Sequence, residues 1–208
     1  MSYYPLFVDI GSRFCVVVGA GSVAYRKVSA LLKAGAKVKV ISPDISSELE
    51  NLIKSAEIEH INRDYQEGDL DGAVLVIGAT DNQQVNEAVS LEAKQKGILV
   101  NIVDQPELCT FIVPSQVSRG ALKIAISTSG KSPALAKKIR KDLQVRYGIE
   151  YATFVDLLEV ARRKVIAKYA DEEERKKILT KLANSSAIIE LIKAGKVEEA
   201  REQIEECI

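Results

Sequence analysis

The chain has 208 residues, of which 47% are hydrophobic and 28% charged, as in an ordinary soluble globular protein with room for a nucleotide-binding unit and a small second unit. Lysine plus arginine and aspartate plus glutamate number 29 each, so the overall charge favours neither nucleic acid nor a membrane surface as a partner. Three widely spaced cysteines and one histidine predict no metal site and indicate reduced thiols in a cytoplasmic protein. We also expect no signal peptide and no membrane helix.

Short apolar runs alternate with helical patterns through the first half of the chain. The apolar runs predict strands at 14–18, 37–41, 58–61, 73–78 and 98–103. Helical spacing predicts helices at 23–33, from Pro43-Asp44 to about 54, and at 82–96. This order predicts an α/β fold, a Rossmann-type doubly wound parallel sheet.

The pattern changes after the fifth strand. Two strands are predicted at 110–113 and 122–127, around a turn at 118–120. Ser132-Pro133 predicts the start of a helix to about 147, and residues 151–208 are helical throughout. We therefore expect a Rossmann domain at 1–113, a small strand and helix region at 114–148, and an all-helical C-terminal domain at 149–208.

A glycine motif, G-x-G-x-x-A, joins the first strand to the first helix. Gly19 permits a tight turn, Gly21 lets a pyrophosphate approach the backbone, and Ala24 lets helix and strand pack closely. Ser22 and Val23 open the helix, whose free amides attract an anion. The motif favours dinucleotide binding, and the alternative is a purely structural turn.

The end of the second predicted strand carries the next candidate for the cofactor site. Pro43 and Asp44 stand slightly beyond the position where an acidic residue usually holds the ribose hydroxyls. Asp44 equally fits a carboxylate at a helix start. Because no arginine is present at 42–44 to bind a 2′-phosphate, the segment favours NAD over NADP as cofactor.

Two further segments follow the fourth and fifth strands. Ala79, Thr80 and Asp81 are small or polar residues at the carboxyl edge of the sheet, where a cofactor would lie, although an Asp or Asn cap for the next helix explains them too. Asn101 lies near the end of the fifth strand and is a further candidate cofactor-binding residue, and Asp104 follows that strand. Asp104 stands where a general base is needed, and its alternative role is to start a turn before Pro106.

A hydroxyl-rich loop precedes the basic helix that starts at Pro133. Its hydroxyls, free amides and cations suit a ligand with many carboxylates, and a capped helix with a solvated basic face is the plain alternative. The candidate substrate-binding residues are Ser127, Thr128, Ser129, Gly130, Lys131 and Ser132.

Taken in order, six segments of the chain resemble the precorrin-2 dehydrogenase family, which comprises part of siroheme synthase and its free-standing relatives. The segments are Tyr4-Pro5-Leu6-Phe7, Val18 to Ala24 with Arg26-Lys27, Ala79-Thr80-Asp81, Asn101 to Asp104, Phe111 to Ser115 and Ser127 to Pro133. The resemblance implies NAD-dependent oxidation of precorrin-2, a polycarboxylate tetrapyrrole, to sirohydrochlorin by a homodimer. It also implies iron insertion in some members and a catalytic role for Asp104.

The same resemblance gives the regions their expected roles. Residues 1–113 would bind NAD, and 114–148 would serve dimerisation and substrate binding. Thr128 stands where some relatives carry a serine that can be phosphorylated. Threonine keeps the hydroxyl, but the resemblance does not carry this regulation over to the chain. The chain ends where the longer enzyme continues into a methyltransferase, so we expect a free-standing form. A regulatory module that senses NAD(H) without turnover is the alternative function.

Overall fold

The computed structural model describes residues 3–208, which form two compact units that meet in sequence between Val113 and Pro114. The boundary coincides with the end of the predicted Rossmann domain. Residues 114–148 and 149–208, expected as separate regions, belong to one unit.

The first unit is a five-stranded parallel sheet with helices in the connections. Its elements are β1 (Phe14–Val18), α1 (Ser22–Lys33), β2 (Lys37–Ile41), α2 (Ser47–Lys54), β3 (Ile58–Ile61), β4 (Leu75–Gly78), α3 (Gln83–Gln95), β5 (Leu99–Ile102) and a 3₁₀ turn (Pro106–Leu108). The strand order is β3-β2-β1-β4-β5 with every pairing parallel. This order confirms the predicted Rossmann-type sheet.

Burial on both faces explains why the strands read as continuous apolar runs. In β1, Cys15 and Val17 join one buried cluster with Ala24 and Val28 of α1. Val16 and Val18 of the same strand join the opposite cluster, which includes residues of α3. A strand covered on both sides has no face left for polar residues.

The free edge of β5 is covered by the segment that follows the 3₁₀ turn. Thr110 donates its N–H to the Val100 carbonyl at 2.8 Å, and its hydroxyl accepts the Val100 N–H at 2.9 Å. Because a side-chain oxygen replaces a backbone partner here, residues 110–113 form no strand. The predicted strand at 110–113 is therefore wrong.

The second predicted helix begins later than expected. It starts at Ser47 rather than at Pro43-Asp44. Before the helix, the chain first passes the glycine loop, where Ser46 donates its N–H to the Ala20 carbonyl at 3.1 Å. That contact requires a non-helical backbone through 43–46.

The second unit begins with an antiparallel hairpin and continues as helices. Its elements are β6 (Ser115–Arg119), β7 (Leu122–Ile126), α4 (Pro133–Arg146), α5 (Glu150–Lys168), α6 (Glu172–Ala183), α7 (Ser186–Lys193) and α8 (Val197–Glu205). Arg119 pairs with Leu122, so the turn is Gly120-Ala121 and not 118–120. Gly120 has φ +55°, a conformation that glycine adopts without strain.

The helices of the second unit share one buried cluster. It contains Phe154, Leu157, Ala161, Leu182, Ile188, Ile192, Ala200 and Ile204. These residues recur at helical spacing, which is the pattern that predicted the helices from sequence. No helix within residues 3–208 has the length and apolar character that a membrane span requires.

Candidate functional site

The first candidate residue, Gly19, lies in the turn between β1 and α1. Its φ is +101°, and a Cβ added to it would stand 2.4 Å from the Ala79 carbonyl oxygen. Its N–H donates to the Ile41 carbonyl at 2.8 Å. The turn therefore packs tightly against the end of β2 and the loop that follows β4, as the sequence predicted for a glycine at this position.

The start of α1 is open, in contrast to the turn before it. Gly21 is the N-cap and provides no side-chain acceptor for the first amides of the helix. A Cβ added to Gly21 would meet nothing within 4 Å. Ser22 is exposed and Val23 half-buried, and Ala24 is fully buried against the sheet. An open cradle with free helix amides fits the pyrophosphate of a dinucleotide.

The segment with Pro43 and Asp44 lies beside this cradle. The bonds from Gly19 N–H to Ile41 and from Ser46 N–H to Ala20 hold both of its ends to the glycine loop. Asp44 is exposed and stands three residues before α2, so its alternative role at a helix start is wrong. Asp44 is therefore interpreted as a carboxylate that faces solvent beside the glycine cradle at the start of α1.

The single histidine supports the same segment from β3. His60 Nε2 lies 2.9 Å from the Ser42 carbonyl oxygen. Because a carbonyl can only accept a hydrogen bond, Nε2 carries the hydrogen. His60 therefore has a structural partner.

Ala79, Thr80 and Asp81 form the loop after β4 at the same edge of the sheet. Ala79 donates its N–H to the Val18 carbonyl at 2.8 Å. The Thr80 hydroxyl accepts the Asn82 N–H at 2.8 Å, and the Asn82 side chain caps α3. Since Asn82 is the cap, Asp81 remains an exposed carboxylate at the edge.

Asp104 lies two residues after β5 on a tight turn. It is exposed and has φ +59°, in the left-handed region that few residues with a Cβ adopt. Val103 donates its N–H to the Gly78 carbonyl at 2.9 Å, which ties the turn to the end of β4. Strand β4 alone separates β1 from β5, so the Asp104 turn and the glycine turn lie at the same edge of the sheet.

Lys27 lies just over one turn into α1. It is a residue of the candidate site to which the sequence alone assigned no individual role. Burial lowers the pKa of its half-buried ammonium, and the neighbouring Arg26 lowers it further. The Asp104 carboxylate and Cys109 act in the opposite direction, raising the pKa. The Lys27 ammonium and the Asp104 carboxylate therefore attract each other. The feature of the sequence that pointed to this residue was the Arg26-Lys27 pair after the glycine motif.

Asn101 differs from the other predicted cofactor residues because its side chain is buried. Only 9% of the residue is exposed, and Nδ2 donates to the Phe111 carbonyl at 3.1 Å. This bond holds the segment after the 3₁₀ turn against β5. A direct contact between Asn101 and the cofactor remains a prediction.

The hydroxyl-rich loop of the second unit is strongly ordered by its own side chains. Ser127 accepts the Ser129 N–H at 2.9 Å, Thr128 accepts the Ser132 N–H at 3.0 Å, and Ser132 caps α4 through Leu135 N–H at 3.3 Å. Ser129 and Gly130 have φ +52° and +80°. Because each hydroxyl accepts here, its own hydrogen remains available for an anion, and Lys131 lies exposed among them.

Within residues 3–208, no group of three or more histidine, cysteine or acidic side chains is arranged to hold a metal ion. The parallel sheet, the open glycine cradle at its edge and the Asp104 turn together define a nucleotide-binding protein of the Rossmann class.

A family model described as putative NAD(P)-binding matches residues 6–115, more than half of the chain, so the chain belongs to this family. A second model, the central part of sirohaem biosynthesis proteins, matches residues 119–146. These matches confirm the family resemblance stated from sequence.

Curated relatives point the same way. A siroheme synthase of Thioalkalivibrio sulfidiphilus is 40% identical over 208 residues, which are all of this chain and 42% of that protein. A siroheme synthase of Vesicomyosocius okutanii is 38% identical over 205 residues, 99% of this chain and 44% of that protein. The chain therefore spans less than half the length of these relatives.

A solved structure resembles the whole chain. It is a precorrin-2 dehydrogenase, SirC, with a TM-score of 0.78 and 28% identity. The match covers 98% of this chain and 100% of that one.

Proposed function

We propose that this chain oxidises precorrin-2 to sirohydrochlorin with NAD as the hydride acceptor. The observation that carries the proposal is the Asp104 turn, an exposed carboxylate at the same sheet edge as the open glycine cradle. Relatives named siroheme synthase and precorrin-2 dehydrogenase support the substrate class.

The cofactor would be held by the edge of the first unit. The amides at Gly21, Ser22 and Val23 would bind the pyrophosphate, and Pro43 and Asp44 would border the ribose. The loop of Ala79, Thr80 and Asp81 would lie against the remainder of the dinucleotide. An exposed carboxylate at Asp44 favours NAD over NADP, because a 2′-phosphate would meet a like charge there.

Asp104 would accept or relay the proton released in the reaction. NAD bound at this edge would supply the acceptor for a hydride leaving a ring-bridging carbon of the substrate. Loss of that hydride and one proton removes two electrons from precorrin-2, so NADH and a proton balance the reaction. A solvent-accessible carboxylate on a fixed turn suits the proton-transfer role.

The second unit would bind the substrate's carboxylates. The loop from Ser127 to Ser132 offers hydroxyl donors and the Lys131 ammonium, and the exposed side chains of Lys137, Lys138 and Lys141 on α4 add positive charge. Cations and hydroxyls on a preordered loop pair with carboxylates at low entropic cost.

We further propose a homodimer. The second unit exposes large apolar side chains at the end of α4 and beyond, with Val145 87% and Ile149 83% exposed. Contact with a second copy of the chain would remove this apolar surface from water. The hairpin of β6 and β7 and the helical tail would contribute to it. Sedimentation analysis would give twice the chain mass, and a fully active monomer would refute the dimer.

An absorbance assay tests the activity directly. Precorrin-2 and NAD are mixed with the protein, NADH formation is followed, and the assay is repeated with NADP. Asp104→Ala should reduce turnover strongly. Glu107→Gln changes another exposed carboxylate three residues away and should retain it. NADH binding by the wild-type chain without turnover would favour a regulatory sensor instead, and near-normal rates with Asp104→Ala would remove Asp104 from the reaction.

A further inference from the structure

The Asp104 turn is held from inside by the thiol of Cys109. Cys109 Sγ accepts the Ile102 N–H at 3.2 Å. It also lies 3.3 Å from the Ile102 carbonyl oxygen and 3.3 Å from the Gln105 carbonyl oxygen. One sulfur atom therefore contacts the residues at both ends of the turn that carries Asp104.

Asn101 supports the same arrangement from β5. Its Nδ2 donates to the Phe111 carbonyl at 3.1 Å and lies 3.6 Å from Cys109 Sγ. The side chain is more than nine-tenths buried, so these contacts are shielded from water. Asn101 thus fixes the segment on which Cys109 stands.

The conformation of Asp104 needs such support. A φ of +59° lies in the left-handed region, which aspartate adopts more often than most residues with a Cβ but still at a conformational cost, so contacts around the turn help to hold it. Burial raises the pKa of the Cys109 thiol, partly opposed by the hydrogen bond from Ile102 N–H. The thiol therefore keeps its hydrogen at neutral pH and can donate it to a carbonyl of the turn.

We propose that Asn101 and Cys109 are positioning residues, which hold the Asp104 carboxylate in place through the turn from Ile102 to Gln105. This inference rests on the proposed function, because it requires Asp104 to act in the reaction. It gives Asn101 a role that does not depend on touching the cofactor.

Steady-state kinetics with precorrin-2 and NAD test the inference. Cys109→Ala and Asn101→Ala should each lower kcat about 10- to 100-fold, since small misplacements of a reacting group have effects of this size. The KM for NAD should stay within about twofold of the wild type. Cys109→Ser keeps a donor and acceptor on a shorter side chain and should recover part of kcat.

A double-mutant comparison separates positioning from general damage. In the Asp104→Asn background, Cys109→Ala should change kcat by less than about twofold, because the carboxylate it positions is already absent. Cys15→Ala serves as the matched control. It removes a fully buried thiol from β1 of the same unit, and should lower the thermal midpoint while leaving kcat unchanged.

Three results would overturn the positioning role. The first is an unchanged kcat in folded Cys109→Ala. The second is an equal loss of kcat from Cys109→Ala with and without the Asp104 carboxylate. The third is a selective rise in the KM for NAD in Asn101→Ala, which would make Asn101 a cofactor ligand. A wild-type chain that forms no NADH, or Asp104→Asn at full rate, would instead refute the proposed function and this inference with it.

Discussion

Gly19 and Ala79 touch through their backbones, so that no side-chain atom fits between them. A Cβ on Gly19 would stand 2.4 Å from the carbonyl oxygen and 2.7 Å from the carbonyl carbon of Ala79. Since the two loops follow adjacent strands β1 and β4, this contact brings the glycine turn and the loop after β4 together at the edge of the sheet.

Gly19→Ala should therefore damage both folding and cofactor binding. The substitution adds a clash with backbone atoms and places a Cβ at φ +101°, which together should lower the free energy of unfolding by about 2 kcal/mol or more. Thermal unfolding and NADH fluorescence titration would measure the two effects.

Gly21→Ala is the matched comparison and should separate these effects. Its φ of −79° suits alanine, and a Cβ there meets nothing within 4 Å. We expect a smaller loss of stability than in Gly19→Ala, because alanine is a poorer N-cap than glycine but adds no clash. NADH binding should be weaker, because the methyl group enters the space needed by the pyrophosphate. Unchanged NADH affinity would contradict the proposed cradle.

Asp44→Asn should weaken the preference for NAD. Loss of a charge-assisted hydrogen bond is worth roughly 1.5–3 kcal/mol, so the KM for NAD should rise about 10- to 100-fold. The KM for NADP should fall or stay constant, because a repulsive charge is removed. Glu48→Gln, an exposed acid on α2, is the control and should leave both KM values unchanged. If the ratio of the KM for NADP to the KM for NAD were the same in the wild type and in Asp44→Asn, contact between Asp44 and the ribose would be excluded.

A buried carboxylate in α3 stabilises the loop between β3 and β4. Glu92 is 4% exposed and accepts hydrogen bonds from the Tyr65 hydroxyl, from Lys96 Nζ at 2.6 Å and from Gly68 N–H at 3.1 Å. Tyr65→Phe leaves this carboxylate with one donor fewer and should cost about 1–3 kcal/mol of unfolding free energy. Denaturant unfolding measures the loss of unfolding free energy. An unchanged value would show that the hydrogen bond from Tyr65 to Glu92 does not stabilise the protein.

The same carboxylate should make stability depend on pH. Burial raises the pKa of Glu92, but the bonds from Lys96, Tyr65 and Gly68 outweigh it, and the net pKa lies below the ordinary 4.5. A lowered folded-state pKa contributes stability above pH 4.5 that is lost as the pH falls below it. Glu92→Gln should therefore be less stable at neutral pH and should lose less stability than the wild type on acidification. If the free energy of unfolding of the wild type and of Glu92→Gln changed in parallel with pH, this role of Glu92 would be contradicted.

Arg119 connects the hairpin of the second unit to the end of α4. Its Nε donates to the Tyr147 carbonyl at 3.0 Å and Nη2 to the Gln144 carbonyl at 3.3 Å. Arg119→Lys cannot reach both carbonyls and should lower the free energy of unfolding by about 1–2 kcal/mol. Arg162→Lys makes the same change at an exposed position of α5 and should have little effect. Equal melting temperatures for the two variants would refute this role of Arg119.

The sequence predicted the strands well because their burial leaves a simple pattern. Val16, Val17 and Val18 are all buried, so β1 reads as apolar throughout, and the glycine motif follows it directly. The start of α2 was misplaced because Pro43-Asp44 is also typical of a helix start. Only the tertiary bond between Ser46 and Ala20 shows that the chain stays non-helical there.

Side-chain direction was harder to predict than residue position. Asn101 lies at the carboxyl end of β5, as expected, yet its amide is turned inward toward Phe111. Cys109 reaches the Asp104 turn because residues 109–111 fold back over β5. This fold depends on hydrogen bonds between residues up to ten positions apart, which the periodicity of apolar residues does not predict.

The contact between His60 and Ser42 gives the protein a built-in spectroscopic probe. His60 is the single histidine of the chain, so its imidazole signals in a nuclear magnetic resonance spectrum need no assignment by mutation. Its Nε2 hydrogen points at the carbonyl immediately before Pro43-Asp44. Ligands arriving at that segment would therefore register as a change in one resolved resonance, without labelling or reaction.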